Sequence, residues 1–310
     1  MGAWVAGVDL GATKIAIGLI DPLGHIVVYR RLPTAASEGP AAAVERIAQA
    51  ILDLEQTGGS PVAAVGICCP GPLDHQTGIV IDPPNLPGWR HVPLRGMLAE
   101  RLGRPVCLEH DAKAAAWGEF HFGAGRGQKS MVYVVVGTGV GAAIIVDGQL
   151  YRGGNNSAGE VGHITLERDG EPCSCGRRGC VETRLSGPSL ARRYSEALGR
   201  AGRDAPAGAV TGEQVTHWAA QGDPLASEIL EQAGRALGMA IASLAMIMDI
   251  DFYVVGGSVA KAGDLLLEPA RRAVPDHAFA SVAGRVRILA SGLGEDAAIL
   301  GCGLLARAAL

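Results

Sequence analysis

Two stretches of this chain have nearly the same pattern. GVDLGATKIAIGLIDPLG (residues 7–24) and VVVGTGVGAAIIVDG (residues 134–148) each run apolar strand, Gly/Thr-rich turn, apolar strand, then Asp and a turn glycine. A single match is within chance, because Gly-rich hairpins are common. Two, roughly 125 residues apart and each opening a block of mixed α and β signals, point to two similar lobes. The 310 residues also suit two lobes, since single cores stop growing near ~250–300 residues.

The remaining pattern agrees with an α/β chain. A third strand, HIVVYRRL, follows the first pair, and Pro40 to Gln56 places Val44, Ile47, Ala48, Ile51 and Leu54 on one helical face. Strands are expected at AAVGICCPG and VCLEHD, with helices at VPLRGMLAERLG and AKAAAWGEFHFGAG. In the second half, helices are expected near 187–199 and 223–249, strands at FYVVGGSVA and RVRILASG, and a closing helix at Asp296–Ala309. The Gly/Ala/Arg/Asp-rich stretch 198–212 reads as a surface loop. Residues 1–112 with 296–310 are expected to form the smaller lobe, and 113–295 the larger one.

With 48% apolar residues, charges of both signs and a net charge of −4, the chain can bury a sizeable core. That balance argues against disorder, and against a nucleic-acid or membrane surface as the main partner. No apolar run is long enough to span a membrane. The start, MGAWVAGVDLGATK, has no signal-peptide n-region or cleavage site and does not fit a myristoylation pattern, so a cytoplasmic protein is expected.

Three of the seven cysteines crowd into CSCGRRGC, with His163 ten residues upstream of the first. His163, Cys173, Cys175 and Cys180 offer the Cys3His set of a closed structural zinc site, with glycines at 176 and 179 to let the chain wrap an ion. Four protein ligands leave no open position, so such an ion is structural. Free thiols are the bland alternative. Nucleic-acid binding is a weak rival, because only Arg177, Arg178 and Arg184 add positive charge there. The other cysteines, Cys68, Cys69, Cys107 and Cys302, are scattered, and the first three sit in apolar strand-like runs as small hydrophobes. Disulfide scaffolding is the weaker reading for them.

DLGATK (Asp9 to Lys14) and GTGVG (Gly137 to Gly141) leave backbone N–H groups free to face a phosphate, though each alone reads equally well as a β-hairpin. Neither is a Walker loop. Together with VVGGS (Val254 to Ser258) they suit the surroundings of one nucleotide. Asp111 lies at a strand-to-helix junction, where a carboxylate serves either as a helix N-cap or as a general base.

In this order, DLGATK, PGPLD, NLPGW, HDAKAAAWGE, GTGVG, GEVGH, CSCGRRGCVE and VVGGS make the chain resemble the ROK sugar kinases, bacterial glucokinases above all, from residue 5 to the C-terminal helix. The resemblance implies a duplicated, two-lobed actin-like (ASKHA) α/β fold with its active site in the interlobe cleft, and transfer of the ATP γ-phosphoryl group to a hexose. It implies Asp111 as catalytic base, and sugar contacts from Gly71, Asn85, His110, Asp111, Glu160, His163 and Glu182. His163 would also bind zinc. It places Asp9, Gly11, Ala12, Thr13, Lys14, Gly137, Thr138 and Gly139 at the phosphates with Mg²⁺, and Gly256 and Gly257 on the adenosine side. A homodimer or homotetramer is the implied assembly.

Three departures from the family pattern stand out: His110 replaces the usual Asn before the base, Lys113 replaces an Asn after it, and Ala12, Ala142 and Ala143 replace glycines. His110 leaves the choice of hexose open, with N-acetylmannosamine, N-acetylglucosamine, mannose and fructose as rivals to glucose. A non-catalytic sugar sensor is a further alternative. The family's transcription factors carry a DNA-binding segment of roughly 60–80 residues before the first phosphate loop. Here that loop begins at Asp9, which favours an enzyme.

Overall fold

A computed structural model describes residues 2–58, 60–204, 206 and 208–310. From the N-terminus come β1 (Val5–Leu10), β2 (Lys14–Ile20), β3 (Ile26–Pro33), α1 (Pro40–Gly58), β4 (Ala64–Cys69), β5 (Leu73–Asp74), β6 (Ile79–Val80), α2 (Leu94–Leu102), β7 (Val106–His110) and α3 (Asp111–Phe122). Next come β8 (Met131–Val136), β9 (Val140–Val146), β10 (Gln149–Tyr151), α4 (Glu182–Leu185), α5 (Gly187–Arg200), α6 (Gly212–Ala220) and α7 (Pro224–Met248). The chain ends with β11 (Phe252–Gly256), α8 (Asp264–His277), α9 (Ala280–Ala283), β12 (Arg287–Ala290) and α10 (Asp296–Ala308).

The chain divides into two compact units, Met1–Arg126 with Glu295–Leu310, and Gly127–Gly294. Their sheets share one plan. In the first unit the order is β3-β2-β1-β4-β7, with β1–β2 and β2–β3 antiparallel and β1–β4 and β4–β7 parallel. In the second it is β10-β9-β8-β11-β12, with the same sequence of antiparallel and parallel pairs. The sequence repeat is thus a repeat of topology, and each Gly/Thr turn joins the two strands that begin its sheet.

The central strands read as unbroken apolar runs because both of their faces are covered. β1 and β4 are almost wholly buried, with the core of the first unit drawn from Val8, Leu10, Ile15, Ile17, Ile47 and Ile67. The expected lobe boundary at 112/113 falls at the start of α3, whereas the units divide at 126/127 and 294/295. Close packing of α3 against α10 explains the difference. A Cβ at Gly301 would lie 1.8 Å from the Ala114 carbonyl oxygen, and one at Gly118 would lie 2.1 Å from that of Ala297.

In the second unit α7 and α8 pack against one another, and α8 contains Pro269 and Pro275, two prolines that argue against a helix on sequence grounds. The sequence expectations also lack α6, although its start carries a complete capping box between Thr211 and Gln214. The expected loop 198–212 begins within α5, and its residues 205 and 207 lie outside the described residues. Among the described residues, no helix is long and apolar enough to cross a membrane.

Candidate active site

In the first unit, the parallel strands β1 and β4 bring Asp9 opposite Cys68, and β4 pairs Cys69 with His110 on β7. Asp9 is partly buried, and its carboxylate Oδ1 lies 3.6 Å from the Cys68 thiol. Burial, and then the Asp111 charge, raise the Asp9 carboxyl to about 6. Two carboxylates that feel one another in this way suit a divalent cation, which favours both in their charged form.

His110 ends β7 and Asp111 opens α3, so the strand-to-helix junction holds the pair in place. His110 holds the N-cap position of α3, and its Nδ1 lies 3.3 Å from the Ala112 backbone nitrogen. That same Nδ1 lies 2.9 Å from Asp111 Oδ1, which in turn accepts from Ala112 N–H at 2.7 Å. The shorter contact favours a proton on Nδ1, donated to the carboxylate, with Ala112 N–H given to Asp111. Asp111 Oδ1 therefore has its partners within the junction, and Oδ2 takes no part in them. Gly71 makes room for the imidazole, since a Cβ there would come within 2.8 Å of His110 Cδ2.

NLPGW is a loop anchored by its apolar residues. Leu86 and Trp89 are fully buried in the first core, while the neighbouring Asn85 is exposed. The DLGATK turn closes with Gly11 N–H donating to the Lys14 carbonyl at 2.9 Å. Thr34, buried and absent from the sequence expectations, pins the turn: its Oγ1 donates to the Gly11 carbonyl at 2.7 Å, and its N–H to the Thr13 carbonyl at 2.9 Å. Lys14 Nζ pairs with Glu295 at 3.3 Å, and Arg31 with the same carboxylate. Ala12, Ala142 and Ala143 all have ordinary backbone angles, so the methyls that replace glycines are accommodated without strain.

In the second unit the cysteine segment closes on itself. Ligand atoms of His163, Cys173, Cys175 and Cys180 all lie within 4.8 Å of one another. Cys173 Sγ is 3.6 Å from His163 Nδ1, and Cys175 Sγ is 3.7 Å from Cys180 Sγ. A tetrahedral ion with Zn–S bonds of ~2.3 Å sets sulfur atoms ~3.8 Å apart, so the spacing fits zinc and is far too long for a disulfide. All seven cysteines are free thiols. The Arg177 backbone N–H holds the Cys175 thiol below its usual range.

Glu182 joins this segment to the second Gly/Thr turn. Its Oε2 accepts from Val140 N–H at 3.0 Å, and its Oε1 accepts from Ser174 Oγ at 3.4 Å. Gly139 packs beside the same carboxylate, where a Cβ would sit 2.9 Å from Oε2. Glu160 is exposed and directly precedes the 3-10 turn that carries His163. At the end of β11, Gly257 has φ +95° and a Cβ there would lie 2.3 Å from the Val136 carbonyl, so only glycine fits. The Gly137 carbonyl accepts from Gly187 N–H at 2.8 Å, and Gly137 also approaches Ser258. The structure thus gathers GTGVG, VVGGS and the start of α5. The part played by Gly187 was not legible, because its signal is a backbone contact with no side chain.

The ROK family model matches residues 5–309, and the chain belongs to that family. It is 36% identical over 304 residues to the glucokinase of Thermotoga maritima, covering 95% of this chain and 94% of the relative. It is 35% identical over 302 residues to an N-acetylmannosamine kinase of Escherichia fergusonii, covering 97% of each. Among solved structures, it is similar to a ROK family glucokinase from Streptomyces griseus in complex with glucose and AMPPNP. That match has a TM-score of 0.85 and 34% identity, and covers 98% of this chain and 99% of the other.

Proposed function

We propose that this chain transfers the γ-phosphoryl group of ATP to glucose, with Asp111 as the general base. The chain is a hexose kinase of the ROK family. Glucose as the preferred acceptor is supported by glucokinase relatives and by the glucose complex of the Streptomyces griseus enzyme. The observation that carries the assignment of the base is the His110–Asp111 junction, with Asp111 Oδ1 engaged and Oδ2 left to accept a hydroxyl proton. As that proton leaves, the hydroxyl oxygen attacks the γ-phosphorus, and ADP departs.

Asp9, with Asp111, is the natural holder of Mg²⁺, which when bound neutralises charge on the phosphoryl oxygens. Gly11 and Gly137 N–H close the two Gly/Thr turns, and the turn residues between, Ala12–Thr13 and Thr138–Gly139, present backbone N–H groups to phosphate, with Lys14 beside the first and Gly256 and Gly257 on the adenosine side. Gly71, Asn85, His110, Glu160, His163 and Glu182 recognise the sugar. The Cys3His cluster holds a structural zinc. With Nδ1 given to the metal, His163 keeps its proton on Nε2 and is a donor toward a hydroxyl. A homodimer or homotetramer is the assembly we assign, which sedimentation velocity tests.

One observation favours a second acceptor. His110 stands where Asn is usual, and identity separates glucokinase and N-acetylmannosamine kinase relatives by 36% against 35%. Steady-state kinetics with each sugar decides between them: kcat/KM highest for glucose supports the proposal, and a higher value for N-acetylmannosamine moves the specificity while keeping Asp111 as base.

A further inference from the structure

We propose that Thr34, backed by Arg46, is a positioning residue for the nucleotide: it draws carbonyls of the first Gly/Thr turn inward and so aims the turn's open amides at a phosphate. This rests on the assignment of DLGATK as a phosphate-binding turn, and adds to it two residues outside the motif.

Thr34 directly follows β3 and is fully buried. β2 and β3 pair Lys14 with Pro33, and Thr13 and Thr34 extend that register by one residue. Thr34 N–H donates to the Thr13 carbonyl at 2.9 Å, as a further rung of the antiparallel ladder. Its side chain adds a second bond, with Oγ1 donating to the Gly11 carbonyl at 2.7 Å. One residue thus holds two carbonyls of the turn, both on the buried side.

A trans peptide sets its C=O and N–H in opposite directions. The Gly11–Ala12 bond is trans, so the hydroxyl that draws the Gly11 carbonyl inward turns Ala12 N–H toward the outer side of the turn. Ala12, Thr13 and Lys14 are all exposed there. Arg46, on α1, governs the next amide. In a complete antiparallel pair the Thr34 carbonyl would accept from Thr13 N–H. Instead it accepts from Arg46 Nη1 at 2.8 Å, and Arg46 is itself paired with Glu38. Among the described residues, neither Ala12 N–H nor Thr13 N–H donates to another protein group.

That asymmetry points to an anion. Acceptors are satisfied on the inner side, while two successive donors stay open on the outer side, where they can converge on one phosphate. Without the Thr34 hydroxyl the Gly11 peptide loses its anchor, and a carbonyl turned outward would repel a phosphate oxygen. Buried behind the turn, Thr34 acts through the Ala12 amide, so its role is positioning and not catalysis.

The test titrates AMPPNP and adenosine, with Mg²⁺ present, against the full-length wild type, Thr34→Val, Thr34→Ser, Arg46→Met and Lys14→Ala. Thr34→Val keeps the shape and the backbone bond but lacks the hydroxyl. It should bind AMPPNP about 5–10-fold more weakly, with adenosine affinity unchanged within about twofold. In steady-state kinetics its KM for ATP should rise in step, while its KM for the hexose stays level. Thr34→Ser keeps the hydroxyl and should bind AMPPNP as the wild type does. A purely structural role predicts the reverse order, or an equal loss for both ligands, and either result overturns the proposal. Arg46→Met frees the Thr34 carbonyl for Thr13 N–H and should weaken AMPPNP about threefold with adenosine unaffected; it decides the matter if Thr34→Val does not fold. Lys14→Ala separates this role from the assignment beneath it. AMPPNP weakened by Lys14→Ala but not by Thr34→Val overturns the role of Thr34 and leaves the turn at the phosphates. AMPPNP unaffected by either variant removes the turn itself from the phosphates, and Thr34 with it.

Discussion

In the proposed mechanism, Asp111 is a base by virtue of its neighbours as much as its own carboxylate. Ala112 N–H and His110 Nδ1 occupy one oxygen and orient the other, so removing the charge leaves the geometry largely in place. Asp111→Asn should therefore lower kcat by about 10²–10⁴-fold while sugar affinity changes little, as read by steady-state kinetics and direct binding. Asp9 has an opposite relation to stability. Its folded carboxyl is raised to about 6 by burial and by Asp111, against an unfolded value near ~4. A raised folded pKa means that the contribution to stability is full below about pH 4 and is lost as pH rises through about 6. In metal- and nucleotide-free buffer at pH 7.5, Asp9→Asn should thus be more stable than wild type by about 1–3 kcal/mol, with the difference shrinking toward pH 4. Urea unfolding at both pH values checks it. At this scale the sequence was legible in identities and blind to partners. Asp9 and Asp111 stood out through the motifs around them, with their roles implied by the resemblance, but nothing signalled the hydrogen bonds of Thr34 to Gly11 or of Ser174 to Glu182.

The Cys3His segment shows why an element with little regular structure needs a clamp. Glu160 and His163 lie on a short turn, Glu182 opens α4, and between them the chain makes only isolated bridges such as Thr165 with Cys180 and Pro172 with Arg178. Cys175→Ser or Cys180→Ser should release zinc, seen as metal content falling from about one ion per chain, and raise the sugar KM about 10–100-fold. Unchanged metal content in both variants would contradict the ligand assignment. The clustering of cysteines made this element readable in advance, whereas the bond from Glu182 to Val140 that ties it to the GTGVG turn was not. Helix packing was hidden for a related reason. Gly301 and Gly118 carry no side-chain pattern, and their function appears only where α3 meets α10. Gly301→Ala sets a methyl against the Ala114 carbonyl and should destabilise the first unit by about 1–3 kcal/mol or more, measured by denaturant unfolding. In α8 the apolar spacing was present but Pro269 and Pro275 spoke against a helix, and packing against α7 outweighed them.

At the scale of the whole chain, the fold is one topology used twice. Each sheet starts with an antiparallel pair around a Gly/Thr turn and is completed by two parallel strands. Such a turn is legible because it needs particular residues at fixed spacing between two apolar runs, and the repetition made it more so. The unit boundary was less legible, since α3 carries no break in its pattern to mark it and is assigned by its packing on α10 alone. Sugar identity is the least legible property. In the proposed site it turns on a few groups such as His110, whose imidazole offers one donor and one acceptor in place of an amide. The most direct test is ADP release with Mg-ATP, measured side by side with glucose, mannose, fructose, glucosamine, N-acetylglucosamine and N-acetylmannosamine. Turnover with the highest kcat/KM on glucose, abolished in Asp111→Asn, is the expected result. Turnover that survives unchanged in Asp111→Asn, or no turnover on any of these sugars by folded, zinc-loaded protein, would contradict the assignment of Asp111 and of the reaction.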